Sequence, residues 1–165
     1  MFTINKLKFI KNFIILIIEK GENRIMTVAF QTFNLKSRAF CDVINITPQV
    51  QTSIKRSGIE NGIVNVHIAG STGAISTTEY EPGLVDHDIK EILEKLIPYK
   101  QDYAHHKTWH DYNGAGHLRS FLIKTSQTFP FKNQKLLLGT WQQIIYIEND
   151  EKPRSRTIYC TIIGE

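Results

Sequence analysis

Cysteine is scarce in this chain. Cys41 and Cys160 are the only two in 165 residues. A small secreted fold stapled by disulfides needs more cysteines in a shorter chain, so that class is excluded. Each cysteine sits in a β-like run, FCDVINI and TIYCTII, where a small apolar side chain suits a core. Reduced thiols in a cytoplasmic setting fit best.

Long apolar runs are also missing. Phe13-Ile14-Ile15-Leu16-Ile17-Ile18 is an unbroken stretch of only six residues, against the roughly 20 that a membrane-crossing helix requires. No small-residue cleavage site follows it, so it does not read as a signal peptide. The chain lacks a spread basic excess too. Of its 20 Lys and Arg and 16 Asp and Glu, residues 1–25 hold five and two. The net +4 falls to +1 over residues 26–165, which argues against a nucleic-acid-binding face. There is no internal repeat and no low-complexity tract. Met26 opens a clean strand pattern. Residues 1–25 are therefore expected to be a non-native N-terminal extension ahead of a single domain over 26–165. The alternative is a loosely docked amphipathic arm.

Hydrophobic residues make up 41% of the chain, enough for a core without staples. Val28 to Leu35 and Ala39 to Ile46 alternate like strands, and Lys36-Ser37-Arg38 between them suggests a hairpin. Thr47-Pro48 reads as a helix start, with Thr47 as cap, and Gly58 reads as its stop. Strands are expected over 62–69 and 74–79. A helix is expected over 84–97, on Val85, Ile89, Ile92, Leu93 and Leu96. Residues 99–114 read as loop and 115–123 as a short helix. Strands follow over 128–131, 136–148 (with Gly139 as the point where it would break) and 155–163. The order ββαββααβββ is not strictly alternating, which predicts an α+β fold rather than a parallel α/β sheet.

Five of six histidines fall between 87 and 117: His87, His105, His106, His110 and His117. Asp86, Asp88, Asp102 and Asp111 share that window. Imidazoles among carboxylates are what a metal or acid–base site requires, although loop histidines at the surface give the same pattern. Asp88 lies three after Val85 and four before Ile92, on the expected apolar stripe. It needs a partner there, either in a reaction or at the positive end of its helix. Glu79 ends a strand. Gly70-Ser71-Thr72-Gly73 offers two hydroxyls between glycines, a possible phosphate cradle or a plain bulge. Arg154 and Arg156 point the same way on a strand and suit a phosphate clamp, a solvated edge or a salt bridge between trimer subunits.

The stretches GSTGAISTTEYEPGLVDHD (70–88), YAHHKTWHDYNGAGHLRSFL (103–122), LLLGTWQQIIYIE (136–148) and PRSRTIYCTIIGE (153–165) carry a resemblance. From about Met26 to Glu165 the chain resembles the YjbQ-like family, whose members carry the description secondary thiamine-phosphate synthase. The wording from Gly70 to Val85 looks like its archaeal branch. The resemblance implies two antiparallel sheets in a sandwich with flanking helices. It also implies a homotrimer with sites near subunit boundaries. The implied activity joins a pyrimidine-methyl diphosphate to a thiazole phosphate with release of diphosphate. In that reaction Glu79, Asp88, His105 and His117 are the implied catalytic residues, and His105 and His117 the ligands of a divalent ion, Mg or Zn. Ser71, Thr72 and Arg119 would meet phosphate oxygens, and Trp141 and Gln142 would line the substrate. The alternative is a non-enzymatic trimeric binder of a phosphorylated metabolite or metal. Two departures stand out: Gly70 replaces a histidine found in many members, and Lys124 stands where glycine is usual.

Overall fold

The structure, a computed structural model, describes residues 7–10, 13–17 and 25–165, with side chains from Met26 onward. The reading of residues 1–25 as an extension falls largely outside the described residues. Within them, β1 (Leu7–Ile10) and β2 (Phe13–Ile17) are antiparallel strands, and β2 pairs with the start of β3 (Ile25–Ser37).

The remaining elements follow in order: β4 (Asp42–Asn45), α1 (Thr47–Ser57), β5 (Gly62–Ile68) and β6 (Gly73–Glu79). A wide helical turn over Gly83–Asp88 then leads into α2 (Ile89–Leu96). After it come α3 (Ala104–Trp109), α4 (Gly114–Ile123), β7 (Ser126–Lys132), β8 (Lys135–Leu136), β9 (Gln142–Glu148) and β10 (Arg154–Gly164). One antiparallel sheet has the order β1-β2-β3-β10-β5-β7-β8, and a second has the order β4-β9-β6. The α+β class and the two-sheet arrangement are as the sequence implies.

Two cores hold three layers together. Val64, Val66, Ile68, Ile158, Cys160 and Ile162 of the larger sheet meet Ile75, Ile144 and Tyr146 of the smaller, and Val50 and Ile54 of α1 close the gap. On the other face of the smaller sheet, Ile145 and Ile147 pack with Val85 and Leu93 from the helical layer. β9 therefore buries alternate residues on both sides, which is why its QQIIYIE run is apolar without a polar alternation.

The expected hairpin of β3 with β4 does not form. β3 pairs with β10 along its length, while β4 pairs with β9 in the other sheet. Phe40 and Cys41 adopt left-handed backbone angles, φ 57 and 61, and turn the chain from one sheet to the other. The carboxylate of Asp42 stabilises that turn by accepting from the Arg38 amide at 2.7 Å and from its guanidinium at 2.8 Å.

Thr47 is not the α1 cap. It lies inside the first turn, and its hydroxyl accepts from the Ile144 amide at 2.8 Å, tying α1 to β9. Gly58 does terminate the helix at φ 72, in the left-handed region that glycine enters without a Cβ penalty. The strand expected over 136–148 is broken at Gly139 into β8 and β9, which belong to different sheets. The loop expected over 99–114 contains α3.

Candidate functional site

α4 positions the chemistry. Asn113, which precedes it, and its first three residues, Gly114, Ala115 and Gly116, are buried, because the helix docks end-on against the turn after β9. A Cβ at Gly116 would stand 2.5 Å from the Asn149 carbonyl oxygen, so only glycine lets the helix approach this closely. α3 covers the same end, and a Cβ at Gly114 would meet the Tyr103 Cβ at 2.8 Å.

The two elements bring His105 and His117 together. Their ring centroids are 4.7 Å apart with planes at 62°. Nε2 of His105 lies 3.1 Å from Oδ1 of Asn113, to which it donates, so the neutral His105 ring keeps its lone pair on Nδ1. His106 packs beside this pair, 6.5 Å from His105 by centroid, with Tyr103 at 5.5 Å and Tyr112 at 5.2 Å. Its Nε2 is buried and has no hydrogen-bond partner among the described residues. His110 is exposed and closes α3 in a left-handed conformation.

Other expected site residues lie elsewhere in the chain. Glu79 and Gln142 are register partners, and Trp141 adjoins them. Gly73, next to Thr72, pairs with Glu148 at the opposite end of the same ladder, six residues along, or about 20 Å. Thr72 contacts the α4 end, since its methyl lies 3.4 Å from a Cβ placed on Gly116. Glu79 and Trp141 are exposed, and the Gln142 side chain bridges the Thr77 hydroxyl and the Gly139 amide. Ser71 is exposed.

Asp88 does not lie on the buried stripe. The wide turn over Gly83–Asp88 shifts the helical phase. Val85, Ile89 and Leu93 face the core, while Asp88, Ile92 and Leu96 form an outer row. Asp88 therefore needs no buried partner.

Arg119 is committed to the fold rather than offered to a phosphate. Its side chain is 1% exposed. It donates to Glu94 at 2.6 Å and to the Ile97 carbonyl at 2.7 and 2.9 Å, and its guanidinium lies 3.8 Å above the Tyr99 ring. This knot forms one wall of a cavity of about 500 Å³ that His87, Lys90 and Glu91 also line.

Thr72, Arg154 and Arg156 belong to a buried ionic network. Arg156 donates to both oxygens of the fully buried Glu148, at 2.7 and 2.6 Å, and to the Thr72 hydroxyl at 2.8 Å. Thr72 in turn donates to Asp150, which also accepts from Arg154 at 2.8 Å. Burial pushes the Asp150 carboxyl up, but the bonds from Arg154, the Lys152 amide and Thr72 outweigh it and hold the group below the usual carboxylate range. Both arginines are engaged within the chain, by Asp150 and Glu148, which is neither the phosphate clamp nor the inter-subunit bridge the sequence suggests.

Sequence reasoning missed Asn113 and Asn149. Asn113 carried one available signal, a residue type favoured at helix starts standing just before Gly-Ala-Gly. Asn149 carried none, since a polar residue after a strand reads as an ordinary turn.

A family model described as UPF0047 protein YjbQ-like matches residues 31–165. The chain belongs to that family. A UPF0047 protein of Methanothermobacter thermautotrophicus is 39% identical over 140 residues, covering 85% of this chain and 95% of the relative. Another, from Methanocaldococcus jannaschii, is 34% identical over 133 residues, covering 81% of this chain and 93% of the relative. Among solved structures, a YbjQ-like protein of Sulfolobus solfataricus P2 superposes with a TM-score of 0.80 at 32% identity, covering 85% of this chain and 99% of that one. For a protein of Aeropyrum pernix K1 the TM-score is 0.77 at 31% identity, with coverage of 82% and 98%.

The implied divalent ion can be tested against the donors of this YjbQ-like chain. No group of three or more His, Cys, Asp or Glu among the described residues is arranged to hold a metal ion. Catalytic zinc takes three protein ligands, and the His105–His117 pair is one short. Among the described residues of a single chain, the donors present do not complete a zinc site. No helix of the described residues is long and apolar enough to cross a membrane.

Proposed function

We propose that this chain handles a phosphorylated small molecule at the amino end of α4, with His105 and His117 as its proton-carrying groups. The fuller reading is a secondary thiamine-phosphate synthase-like transfer. The thiazole nitrogen attacks the methylene carbon of the pyrimidine-methyl diphosphate. The carbon–oxygen bond breaks, and its electron pair leaves with diphosphate. The charge that develops is negative and sits on the leaving oxygen, which a protonated imidazole stabilises and then protonates. The observation that carries this reading is the His105–His117 pair, fixed at 4.7 Å with one ring anchored by Asn113.

Assembly as a homotrimer in the cytoplasm is part of the proposal. Support comes from large apolar side chains left exposed around the helical layer, notably Trp109, Phe121 and Leu122 on α3 and α4, a pattern that marks association surfaces. Light scattering should give three times the 19.0 kDa chain mass.

The decisive assay follows diphosphate release and thiamine-phosphate formation from the two substrates, with and without Mg or Zn. Wild type should turn over, and His105→Ala and His117→Ala should each lose 100-fold or so, the usual size of a general acid–base contribution, while remaining folded. Tight binding without release in every metal condition favours the alternative, a non-enzymatic binder of a phosphorylated metabolite.

A further inference from the structure

We propose that the amino end of α4 is a receptor for a hydrogen phosphate group, and that Asn149 makes it select phosphate over sulfate. This deepens the reading above by naming what the site grips, and it rests on that reading for the location alone.

Three backbone amides begin the argument. Gly114, Ala115 and Gly116 open a ten-residue helix, so their N–H groups have no acceptor within it. An asparagine at the preceding position ordinarily accepts from one of them. Here the Asn113 oxygen accepts from His105 instead, and no side chain caps the helix. No backbone acceptor for the three amides is present among the described residues. The residues are buried, so donors and the positive end of the helix dipole point into protein.

Asn149 supplies the second, independent observation. It is fully buried, and neither Nδ2 nor Oδ1 of its carboxamide has a hydrogen-bond partner among the described residues. Its main chain cannot retreat. The amide donates to the Thr72 carbonyl at 2.9 Å, and the carbonyl accepts from the Tyr99 hydroxyl at 3.1 Å while lying against Gly116. Ile145 and Ile147 of β9 face the helical layer, and the Asn149 amide continues the pairing with the β6 side through Thr72, which puts its carboxamide on the helical-layer side, where its own carbonyl touches Gly116. The orphaned Nε2 of His106 adds a third polar atom, 3.0 Å from a Cβ placed on Gly114.

The chemistry of these atoms defines the ligand. Three amides, Nδ2 of Asn149 and a protonated Nε2 of His106 all donate, which calls for an anion with several oxygens. Oδ1 of Asn149 can only accept. An oxyanion that still carries a proton satisfies both ends of the carboxamide, since its bare oxygens accept from Nδ2 and its P–O–H donates to Oδ1. Hydrogen phosphate has that proton near neutral pH, and a phosphate monoester has it below its second pKa of about 6. Sulfate does not, and it would leave Oδ1 facing a bare negative oxygen.

The test is an amide-resolved NMR titration of the full chain with sodium phosphate and, separately, with sodium sulfate at equal ionic strength. Phosphate should shift the amides of Gly114, Ala115 and Gly116 and the side-chain NH₂ of Asn149. Sulfate should bind roughly tenfold more weakly, the worth of one unsatisfied acceptor. Asn149→Leu, which removes two unpaired buried atoms, should melt no lower than wild type and lose most of the phosphate response. Equal affinity for both anions overturns the proposal, as does a wild type whose three amides do not respond, or an Asn149→Leu variant that binds phosphate undiminished. If that variant fails to fold, the phosphate-to-sulfate ratio of wild type decides alone. Selective phosphate binding in a protein that shows no turnover upholds this inference while removing the enzymatic reading.

Discussion

At the scale of single residues, the sharpest contrast is between Arg119 and His117, two positions apart on α4. One is locked into the fold and the other stands in the site. Arg119→Lys should cost stability rather than ligand affinity, because an ammonium cannot serve the Ile97 carbonyl, Glu94 and the Tyr99 ring together. A loss of about 2–3 kcal/mol in urea unfolding is expected, with phosphate affinity unchanged. The two cysteines give a pH-dependent prediction. Burial pushes both the Cys41 and Cys160 thiols up to about 11. The folded state therefore keeps its thiol protons after the unfolded chain has released them. Their stabilising effect is complete at neutral pH and is lost as pH rises from the ordinary thiol range towards 11, by about 1.4 kcal/mol per unit for each thiol. Cys160→Ala should flatten that alkaline slope, and alkylation of either thiol in native protein at pH 8 should be slow. At the acid end Asp150 acts with the opposite sign. Its carboxyl is depressed, so its contribution is present above the ordinary aspartate range and disappears as pH falls through the folded value. Residue identities were legible in the sequence where type alone signals chemistry, as for the histidines. They were misleading where the partner decides. Nothing local shows that Arg119 meets Glu94, 25 positions away.

Elements were legible to the extent that periodicity fixed them. α1 announced itself through Pro48 and Gly58, and β9 through a dense apolar run. α3 was hidden because AHHKTW has no apolar stripe and buries no residue. The phase of α2 was misjudged because a wide turn leaves no mark on a pattern read at 3.6 residues per turn, and that one displacement sent Asp88 outward. The β3–β4 hairpin was expected because neighbours in sequence usually pair, and a left-handed Phe40-Cys41 step is invisible in residue type. These placements predict that Gly114→Ala will be costly. The new methyl meets the Tyr103 Cβ and the His106 ring, so α3 must lift from α4. A loss of about 1–3 kcal/mol is expected by thermal or urea unfolding, together with weakened contact between His105 and His117, visible as changed imidazole NMR shifts.

In the whole molecule, β9, like its neighbour β6, contributes to both cores, and the ionic network at its end couples the two sheets. Glu148 lies on β9, its partners Arg156 and Ser37 lie on β10 and β3, and Arg156 reaches on to Thr72 in the turn before β6. Glu148→Gln breaks charge balance in a fully buried setting and should cost about 3–5 kcal/mol in urea unfolding, more than any single change in the site. The class and the two-sheet arrangement were legible because composition, turn signals and family wording agreed. The gathering of the expected site was legible only in part. Glu79 and Gln142 share a strand ladder with the α4 end but stand about 20 Å along it, and sequence distance carries no such ruler.

One consequence follows from where the two imidazoles are mounted. His117 rides on a helix whose first turn is pressed into the protein, whereas His105 rides on six residues that bury nothing and are held by ring contacts, an exposed Lys107–Asp102 ion pair and a single amide oxygen. The sturdy partner and the lightly moored one will not come apart at the same temperature. Warming should silence the site through a local, reversible opening that leaves the β-sheet circular-dichroism signal intact, and hydrogen exchange at residues 104–110 should quicken before the strands yield.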